Sequence, residues 1–322
     1  MPPVRAIDLF CGAGGSSWGA RLAGAEIVAG FDRWKLAGEV YARNFPEAEF
    51  VHGNLEDHDP NQLADRLGEI DLIMASPECT NHSPAKGSQP RCETSRATAF
   101  EVARYARAFD PRWIVIENVV SMRRWARYRE LIDELREIGY RVKPQILQAD
   151  RFGVPTSRRR LFILCDRERG PAEVVPPVTV HPKPARQIVD LNGRYEWSPL
   201  RTPRRATGTL TRAERAMAAL GHEEPFLIVY YGSDHAGGWQ SLDVPLRTVT
   251  TVDRFAIVRP GRDGHQMRML QVPELKKAMG FPQRFAFPAG SRRDQIHMIG
   301  NAVCPHLMQT VIRTLTTHET QA

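Results

Sequence analysis

The chain has 322 residues, of which 42% are hydrophobic and 25% are charged, so it can bury the core of one large domain with a smaller one attached. Its net charge of +7 favours a polyanionic partner. Five cysteines without a Cys-x-x-Cys pair argue against a disulfide framework and a zinc site, and no long apolar span or secretory leader occurs. We therefore expect a cytoplasmic protein that binds neither a metal nor a membrane.

The first predicted element is a short strand at residues 4–10, which runs into a glycine-rich turn at residues 11–17. Glycines let the backbone approach a ligand closely, and the helix that follows offers free N–H groups at its amino terminus. A second strand at residues 26–31 ends on Asp32, where a carboxylate can accept hydrogen bonds from ribose hydroxyls. These elements predict half of a site for a nucleotide-like cofactor; a turn that merely connects strand and helix is the alternative.

Two later apolar runs end in chemically active side chains. Residues 71–75 are followed by Cys79, and residues 113–116 are followed by Glu117. Because the carboxyl ends of the strands in a doubly wound sheet lie along one edge, we expect both side chains near the glycine turn. A nucleophile, an acid and a cofactor would then share one crevice.

An arginine-rich strand is predicted after Gly153. Side chains alternate across a strand, so Arg158 and Arg160 point the same way and Arg159 points the opposite way. Two positive side chains on one face suit a phosphate or a base carbonyl, and a solvated sheet edge is the alternative.

Strand-like runs alternate with helical patterns up to about residue 165, for example at residues 128–135. This alternation predicts an α/β fold with a doubly wound, Rossmann-like parallel sheet and helices on both faces. Prolines then mark an extended linker, and helical patterns return at residues 269–279 and from residue 303. We predict a catalytic and cofactor-binding domain at residues 1–180, a smaller domain at 181–262, and a return to the first domain at 263–322.

Several short motifs resemble those of the DNA (cytosine-5)-methyltransferase family, in matching order and spacing over nearly the whole chain. They are Phe10-Cys11-Gly12-Ala13-Gly14-Gly15, Pro77-Glu78-Cys79-Thr80, Glu117-Asn118-Val119, Gly153-Val154-Pro155-Thr156-Ser157-Arg158-Arg159-Arg160, Pro245-Leu246-Arg247-Thr248-Val249-Thr250-Thr251, Gly280-Phe281-Pro282 and Ile299-Gly300-Asn301-Ala302-Val303.

The resemblance implies an S-adenosylmethionine-dependent methyltransferase fold with a target-recognition domain at residues 181–262. It implies transfer of a methyl group from S-adenosylmethionine to carbon 5 of a cytosine that is flipped out of double-stranded DNA. It also implies a bacterial or phage-encoded enzyme of restriction–modification type, which we expect to act on DNA as a monomer.

Site residues follow from the same motifs. Cys79 would add to carbon 6 of the cytosine, Glu117 would bind N3, and Arg160 would contact O2. Arg158 would brace the site or bind a phosphate. Asn118 completes the expected catalytic set. The expected cofactor residues are Phe10, Gly12, Gly14, Gly15, Asp32, Arg33, Asn54, Pro77, Asn301 and Val303, with either Arg33 or Trp34 covering the adenine.

The chain departs from the family pattern at five positions. Asn54 stands where the family usually has an aspartate for the adenine amino group, and Arg33 falls where the family often has an aromatic ring. Glu78 stands in place of a proline, and Thr80 and Thr156 each stand in place of a glutamine. A carboxylate at position 78 disfavours a thiolate at Cys79 unless a cation offsets it. The candidates for that cation are Lys86, Arg91 and Arg96.

The segment expected to read the target sequence has no further family motif. Its arginines could bind guanine or phosphates, and its aromatic side chains could stack on bases, wedge between them or belong to the core. These residues are Arg194, Arg201, Arg204, Arg205, Arg212, Tyr195, Trp197 and Trp239. The polar loop at residues 81–96 is expected to be mobile and to close over an extruded base.

Two other functions fit the motifs. A tRNA-specific branch of the family carries the same motifs, which leaves a tRNA cytosine-5 methyltransferase open. A DNA-binding homologue with altered catalysis would explain Glu78 and Thr80, but it would give Cys79, Glu117 and Asn118 no purpose. A dehydrogenase would explain neither Cys79 nor the arginine strand.

Overall fold

A computed structural model of the chain describes residues 2–78, 81–82, 90, 92–231 and 237–316. Seven strands in this part form the main sheet, in the order β3-β2-β1-β4-β5-β7-β6. They are β1 (Arg5–Leu9), β2 (Glu26–Asp32), β3 (Glu49–His52), β4 (Leu72–Ala75), β5 (Trp113–Asn118), β6 (Arg141–Gln148) and β7 (Arg159–Asp166). The first five strands are parallel, as the sequence predicts.

The last two strands run antiparallel to their neighbours, which departs from the expected parallel pattern. β7 lies between β5 and β6 and is antiparallel to both. Residues 149–158, which join β6 to β7, contain only the short 3₁₀ turn Ala149–Phe152. A parallel connection needs a crossover of a dozen or more residues, so this link can only reverse the chain.

Ten helices occur in the described part of the chain. They are α1 (Gly15–Ala23), α2 (Lys35–Asn44), α3 (Pro60–Leu67), α4 (Glu93–Ala97), α5 (Glu101–Phe109), α6 (Tyr128–Glu137), α7 (Thr207–Leu220), α8 (Val272–Ala278), α9 (Arg292–Asn301) and α10 (Pro305–Thr316). None of them is long and apolar enough to cross a membrane.

Both faces of the main sheet are covered by helices, as the predicted fold class requires. Helices α1, α2 and α10 share an apolar core with one face, and α3, α5 and α6 share a second core with the other. The closing helix α10 returns to α1, where Gln309 donates a hydrogen bond of 2.8 Å to the carbonyl of Leu22. The closing helix α10 therefore packs against the helix that follows the glycine turn.

Five short strands form a second, antiparallel sheet in the order β10-β9-β11-β12-β8. They are β8 (Ser198–Pro199), β9 (Phe226–Val229), β10 (Trp239–Ser241), β11 (Phe255–Arg259) and β12 (Gln266–Met269). Helix α7 covers one face, whereas Leu227, Val229 and Ile257 on the other face belong to the core of the main sheet.

The two sheets thus share one continuous apolar core. β12 follows residue 262, the predicted end of the smaller domain, and pairs with β11. The division at residues 180 and 262 remains a prediction.

Candidate active site

The glycine turn lies between β1 and α1, beside the end of β2. Phe10 has φ of 58°, Gly12 of 51° and Gly14 of 96°, a left-handed conformation that favours glycine. The Gly12 N–H donates to Oδ2 of Asp32 at 2.8 Å, and the Trp34 N–H donates to Oδ1 at 2.8 Å. Burial raises the pKa of Asp32, while these two N–H groups act to lower it. The turn and the acidic side chain meet as predicted.

The segment after α9 closes the other side of the turn. A Cβ on Gly15 would lie 2.4 Å from the carbonyl oxygen of Val303, so only glycine permits this approach. Val303 is buried, whereas Asn301 is exposed at the end of α9. The last predicted motif therefore lies against the first one.

Of the remaining residues considered for the cofactor, Pro77 is buried after β4, and Arg33, Trp34 and Asn54 follow β2 and β3. Asn54 is exposed, and its Nδ2 donates to Oδ2 of Asp57 at 2.8 Å. Trp34 packs edge-on against the His297 ring, with 5.2 Å between ring centroids. The side chain of Arg33 is 67% exposed.

These residues fit a bound nucleoside cofactor such as S-adenosylmethionine. A Cβ built on Gly12 meets no heavy atom within 4 Å, so open space lies directly above the turn. The carboxylate of Asp32 lies beside it and can accept hydrogen bonds from ribose hydroxyls.

Asp8 belongs to this site, although the sequence analysis did not single it out. Its side chain is fully buried behind the glycine turn, and its Oδ2 accepts from the Ser17 hydroxyl at 2.6 Å and the Ser17 N–H at 3.1 Å. The Ser17 hydroxyl also lies 3.0 Å from the hydroxyl of Tyr41. Asp8 therefore fixes the first turns of α1. The signal for Asp8 in the sequence was a charged residue between apolar residues of the first strand.

The pH dependence of stability should report on Asp8. Burial raises the pKa of Asp8 from 3.8 to about 7, so the folded protein retains a proton that the unfolded chain releases. The resulting stability is complete below the unfolded pKa and is lost as the pH rises through the folded one. As the pH rises between the two pKa values, the free energy of unfolding should fall by at most about 4 kcal/mol, and we expect Asp8→Asn to abolish this fall.

Urea unfolding between about pH 4 and pH 8 measures this decline. Titrating groups that do not interact with Asp8 cancel in the difference between the two proteins. A difference that does not change with pH would contradict the assignment.

The loop after β4 carries the predicted nucleophile. Cys79 and Thr80 lie outside the described residues, and Glu78 is the last residue before them. Asn118 is buried at the end of β5, and its Nδ2 donates to the carbonyl of Pro77 at 3.0 Å. Its Oδ1 accepts from the Val119 N–H at 2.8 Å. Asn118 thus holds the backbone two residues before Cys79.

Glu117 and Arg160 form a buried ion pair beside this loop, with 3.0 Å between Oε1 and Nε. Burial raises the pKa of Glu117, and the positive charges of Arg160 and Arg158 act to lower it. The antiparallel direction of β7 makes this contact possible, because it places the start of β7 against the carboxyl end of β5. A parallel β7 would leave these arginines at the opposite edge.

Arg158 is 3% exposed and contacts two distant parts of the chain. Its Nη1 donates to the carbonyls of Val249 at 3.1 Å and Gly300 at 3.0 Å. Arg159 is exposed, as the alternation predicts. Of the two roles considered for Arg158, these contacts favour bracing over binding a phosphate.

Replacing Arg158 with methionine should destabilise the fold by roughly 2–4 kcal/mol, because two buried carbonyls lose a charged donor. Methionine retains an apolar stem of similar length. Urea unfolding of Arg158→Met beside Arg159→Met, its exposed neighbour, measures the effect. Equal losses in the two variants would show that the buried contacts contribute nothing specific.

Thr156 is fully buried where the family has a glutamine. The flanking backbone is bonded to residues 245–247: the Ser157 N–H donates to the Leu246 carbonyl at 2.8 Å, and the Leu246 N–H donates to the Pro155 carbonyl at 3.0 Å. Oγ1 of Thr156 donates to the Arg247 carbonyl at 3.3 Å. These bonds hold the loop before β7 to the second sheet.

Several side chains of the segment expected to read the target sequence make contacts within the protein. Trp197 lies under the guanidinium of Arg259, 4.0 Å from the ring centroid, and packs against the core. Arg201 pairs with Glu214 at 2.9 Å, and Arg205 donates to the carbonyl of Pro199 at 2.9 Å. Other members of the predicted set keep a more open position: Arg194 and Arg204 are exposed, and Trp239 lines an open cavity with Ser157 and Arg247.

The sequence matches a known protein family and resembles known proteins over most of its length. Residues 4–317 match the family described as C-5 cytosine-specific DNA methylase. Type II methyltransferase M.HindV of Haemophilus influenzae is 26% identical over 98% of this chain and 97% of its own, and M.HgiDI of Herpetosiphon aurantiacus is 28% identical over 93% and 90%.

Solved structures share the fold. S. pombe Dnmt2 methyltransferase superposes with a TM-score of 0.71 at 19% identity, covering 98% of each chain. Entamoeba histolytica methyltransferase EhMeth gives a TM-score of 0.69 at 18% identity and covers 100% of both chains.

The mainly parallel sheet with the glycine turn at its carboxyl edge has a Rossmann-like methyltransferase fold. The chain belongs to the C-5 cytosine-specific DNA methylase family. It is a DNA cytosine-5 methyltransferase, and membership of this family implies S-adenosylmethionine as the methyl donor.

Proposed function

We propose that the protein methylates carbon 5 of a cytosine flipped out of double-stranded DNA, through a transient covalent bond from the Cys79 sulfur to carbon 6. One observation carries this proposal: the buried pair of Glu117 and Arg160 lies at the same sheet edge as the glycine turn and the loop that Asn118 holds. An acid, a cation and the glycine turn thus lie along one edge of the sheet, and the loop that leads to Cys79 begins at the same edge.

The pyrimidine ring explains why these groups are needed together. Carbon 5 of cytosine is too weak a nucleophile to take a methyl group unaided. Addition of a thiolate to carbon 6 breaks the aromaticity of the ring and pushes electrons toward N3 and carbon 5. The carboxylic acid of Glu117 stabilises the charge that develops at N3, and the guanidinium of Arg160 binds O2.

Bound S-adenosylmethionine supplies the methyl group that carbon 5 takes. A base then removes the proton from carbon 5, the carbon–sulfur bond breaks, and the double bond between carbons 5 and 6 returns. Asn118 acts earlier, by fixing the backbone that carries Cys79. The sites proposed for the donor are the open space above Gly12 for the nucleoside, Asp32 for the ribose and Asn54 for the adenine amino group.

Burial of Glu117 supports base flipping. This side chain is 5% exposed at the end of β5, so a cytosine paired within a duplex cannot bring N3 to it. Extrusion of the base costs a few kcal/mol, which contacts with the DNA backbone must offset. The loop expected to close over the base includes residues 83–89 and 91, which lie outside the described residues.

Nucleoside mass spectrometry after incubation with S-adenosylmethionine tests the proposal. We expect 5-methylcytosine in duplex DNA and none in tRNA. A duplex with 5-fluorocytosine at the target position should trap a covalent complex, because fluorine cannot leave as the proton does. Detection of 5-methylcytosine in tRNA alone would identify tRNA, not DNA, as the substrate. Binding of DNA with neither 5-methylcytosine nor a covalent complex would indicate a homologue with altered catalysis.

A further inference from the structure

An ion pair joins the residue before the nucleophile to the cofactor side of the crevice. Nη2 of Arg33 lies 3.6 Å from Oε2 of Glu78, the carboxylate that replaces a family proline beside Cys79. Of the cations first considered, Lys86 and Arg91 lie outside the described residues, and Arg96 binds the carbonyl of Asn81 and pairs with Glu93. In the described part of the chain, the positive charge paired with Glu78 is that of Arg33.

The position of this pair follows from the strand order. Arg33 follows β2 and Glu78 follows β4, and these two strands flank β1 in the main sheet. The pair therefore crosses the carboxyl end of β1, where the glycine turn begins. A charged bridge thus spans the crevice in which the cofactor is expected to lie.

Both partners project from backbone that is held in place. Arg33 lies between Asp32 and Trp34, and the Trp34 N–H donates a hydrogen bond to the carboxylate of Asp32. The carbonyl oxygen of Arg33 is 3.0 Å from Nε2 of His52. The backbone next to Glu78 is held by Asn118 through the Pro77 carbonyl. The backbone hydrogen bonds of the two loops therefore bring these side chains together.

We propose that Arg33 is a positioning residue that offsets the charge of Glu78, and thereby keeps the Cys79 thiol reactive and ties its loop to the cofactor site. A carboxylate beside a thiol disfavours the thiolate, and a neighbouring guanidinium cancels that effect. The proposal rests on the proposed function, because it assumes that Cys79 is the nucleophile.

Alkylation of Cys79 by iodoacetamide tests this role without requiring methyl transfer. Cys92 is exposed, so the experiment uses a Cys92→Ser background, and peptide mass spectrometry follows the label at Cys79. We expect Arg33→Gln to slow alkylation by roughly two- to fivefold, the range for a half-exposed ion pair. Arg33→Lys should restore most of the rate.

A double substitution identifies the partner through which Arg33 acts. The ion pair with Glu78 holds the otherwise exposed side chain of Arg33 at this loop, so Arg33→Gln should slow alkylation much less in a Glu78→Gln background, where Arg33 is no longer held. About 0.5 M NaCl weakens the pair and should reduce the difference in rate between the native protein and Arg33→Gln. The matched control is Arg129→Gln, which breaks an exposed ion pair of the same 3.6 Å with Asp133, on α6. This control should leave the rate unchanged.

An equal slowing by Arg33→Gln in both backgrounds would overturn the proposal, because Arg33 would then act without Glu78. The function of Cys79 is judged separately by a Cys79→Ala variant. Loss of methyl transfer in that variant together with a double substitution that shows no coupling would refute the role of Arg33 alone. Retained methyl transfer in Cys79→Ala would refute the proposed function itself.

Discussion

Replacing Cys79 with alanine should lower methyl transfer to duplex DNA by about 10⁴-fold or more, because the proposed mechanism depends on the bond from its sulfur to carbon 6. Incorporation of a deuterated methyl group, read by nucleoside mass spectrometry, measures the loss. Cys92→Ser is the matched control, since this thiol is exposed in the same part of the chain and has no part in the proposed chemistry. It should retain full activity.

The Cys79→Ala variant should still bind and extrude the target base. A 2-aminopurine placed at the target position should brighten when either the native protein or the variant binds, because the base leaves the stack. Loss of both binding and extrusion would mean that Cys79 serves the fold, and normal methyl transfer would exclude the covalent mechanism.

Replacing Glu117 with glutamine should lower kcat by about 10²- to 10⁴-fold, the usual contribution of a positioned acid. Glutamine retains the size of the side chain and its place beside Arg160, but it offers no acidic proton to N3. Single-turnover methyl transfer on a saturating duplex measures the chemical step. Glu134→Gln is the control. Glu134 lies on α6, with its Oε1 2.8 Å from Nη1 of Arg107, and its replacement should leave the rate unchanged.

The pH profile should separate this role from a structural one. Burial raises the pKa of Glu117, so the acid form persists above the usual range for a carboxyl group and is lost as the pH rises through the raised pKa. The native rate should therefore show a falling limb at higher pH that is missing in Glu117→Gln. A variant with an unchanged profile and a rate within about twofold of native would contradict the assignment.

The edge that carries the site could be predicted because its signals are local. Apolar runs mark β1, β2, β4 and β5, and each of them leads into a glycine turn or a chemically active side chain. The carboxyl ends of parallel strands must share an edge, so Asp32 and Glu117 could be placed at the same edge of the sheet without coordinates. The helix predicted at residues 128–135 is confirmed as α6.

Features that depend on contacts distant in sequence could not be predicted. The alternation of β7 is the same in either direction, so only its pairing with β5 and β6 shows that it is antiparallel. The cations proposed to offset Glu78 were sought nearby in sequence, and the pairing of Glu78 with Arg33, on the far side of β1, is visible only in the structure. The predicted helix at residues 269–279 begins later, at Val272, because Met269 belongs to β12.

The role of Arg158 was also visible only in part. Its place in the motif indicated that it either braces the site or binds a phosphate, and its burial against two distant carbonyls favours the first role. Burial of this kind depends on residues 245–251 and on α9, which the sequence does not place beside β7.

When recognition segments are exchanged between related enzymes, the activity of the chimaera should depend on which parent supplies residues 245–251. Their bonds to the loop before β7 and to Arg158 make them part of the catalytic framework, although they lie within the predicted recognition domain. A chimaera joined just before Pro245 would keep the host's own contacts around the crevice. One joined at residue 262 would bring in a foreign partner for Arg158, and it should lose activity even when the imported segment still reads its target.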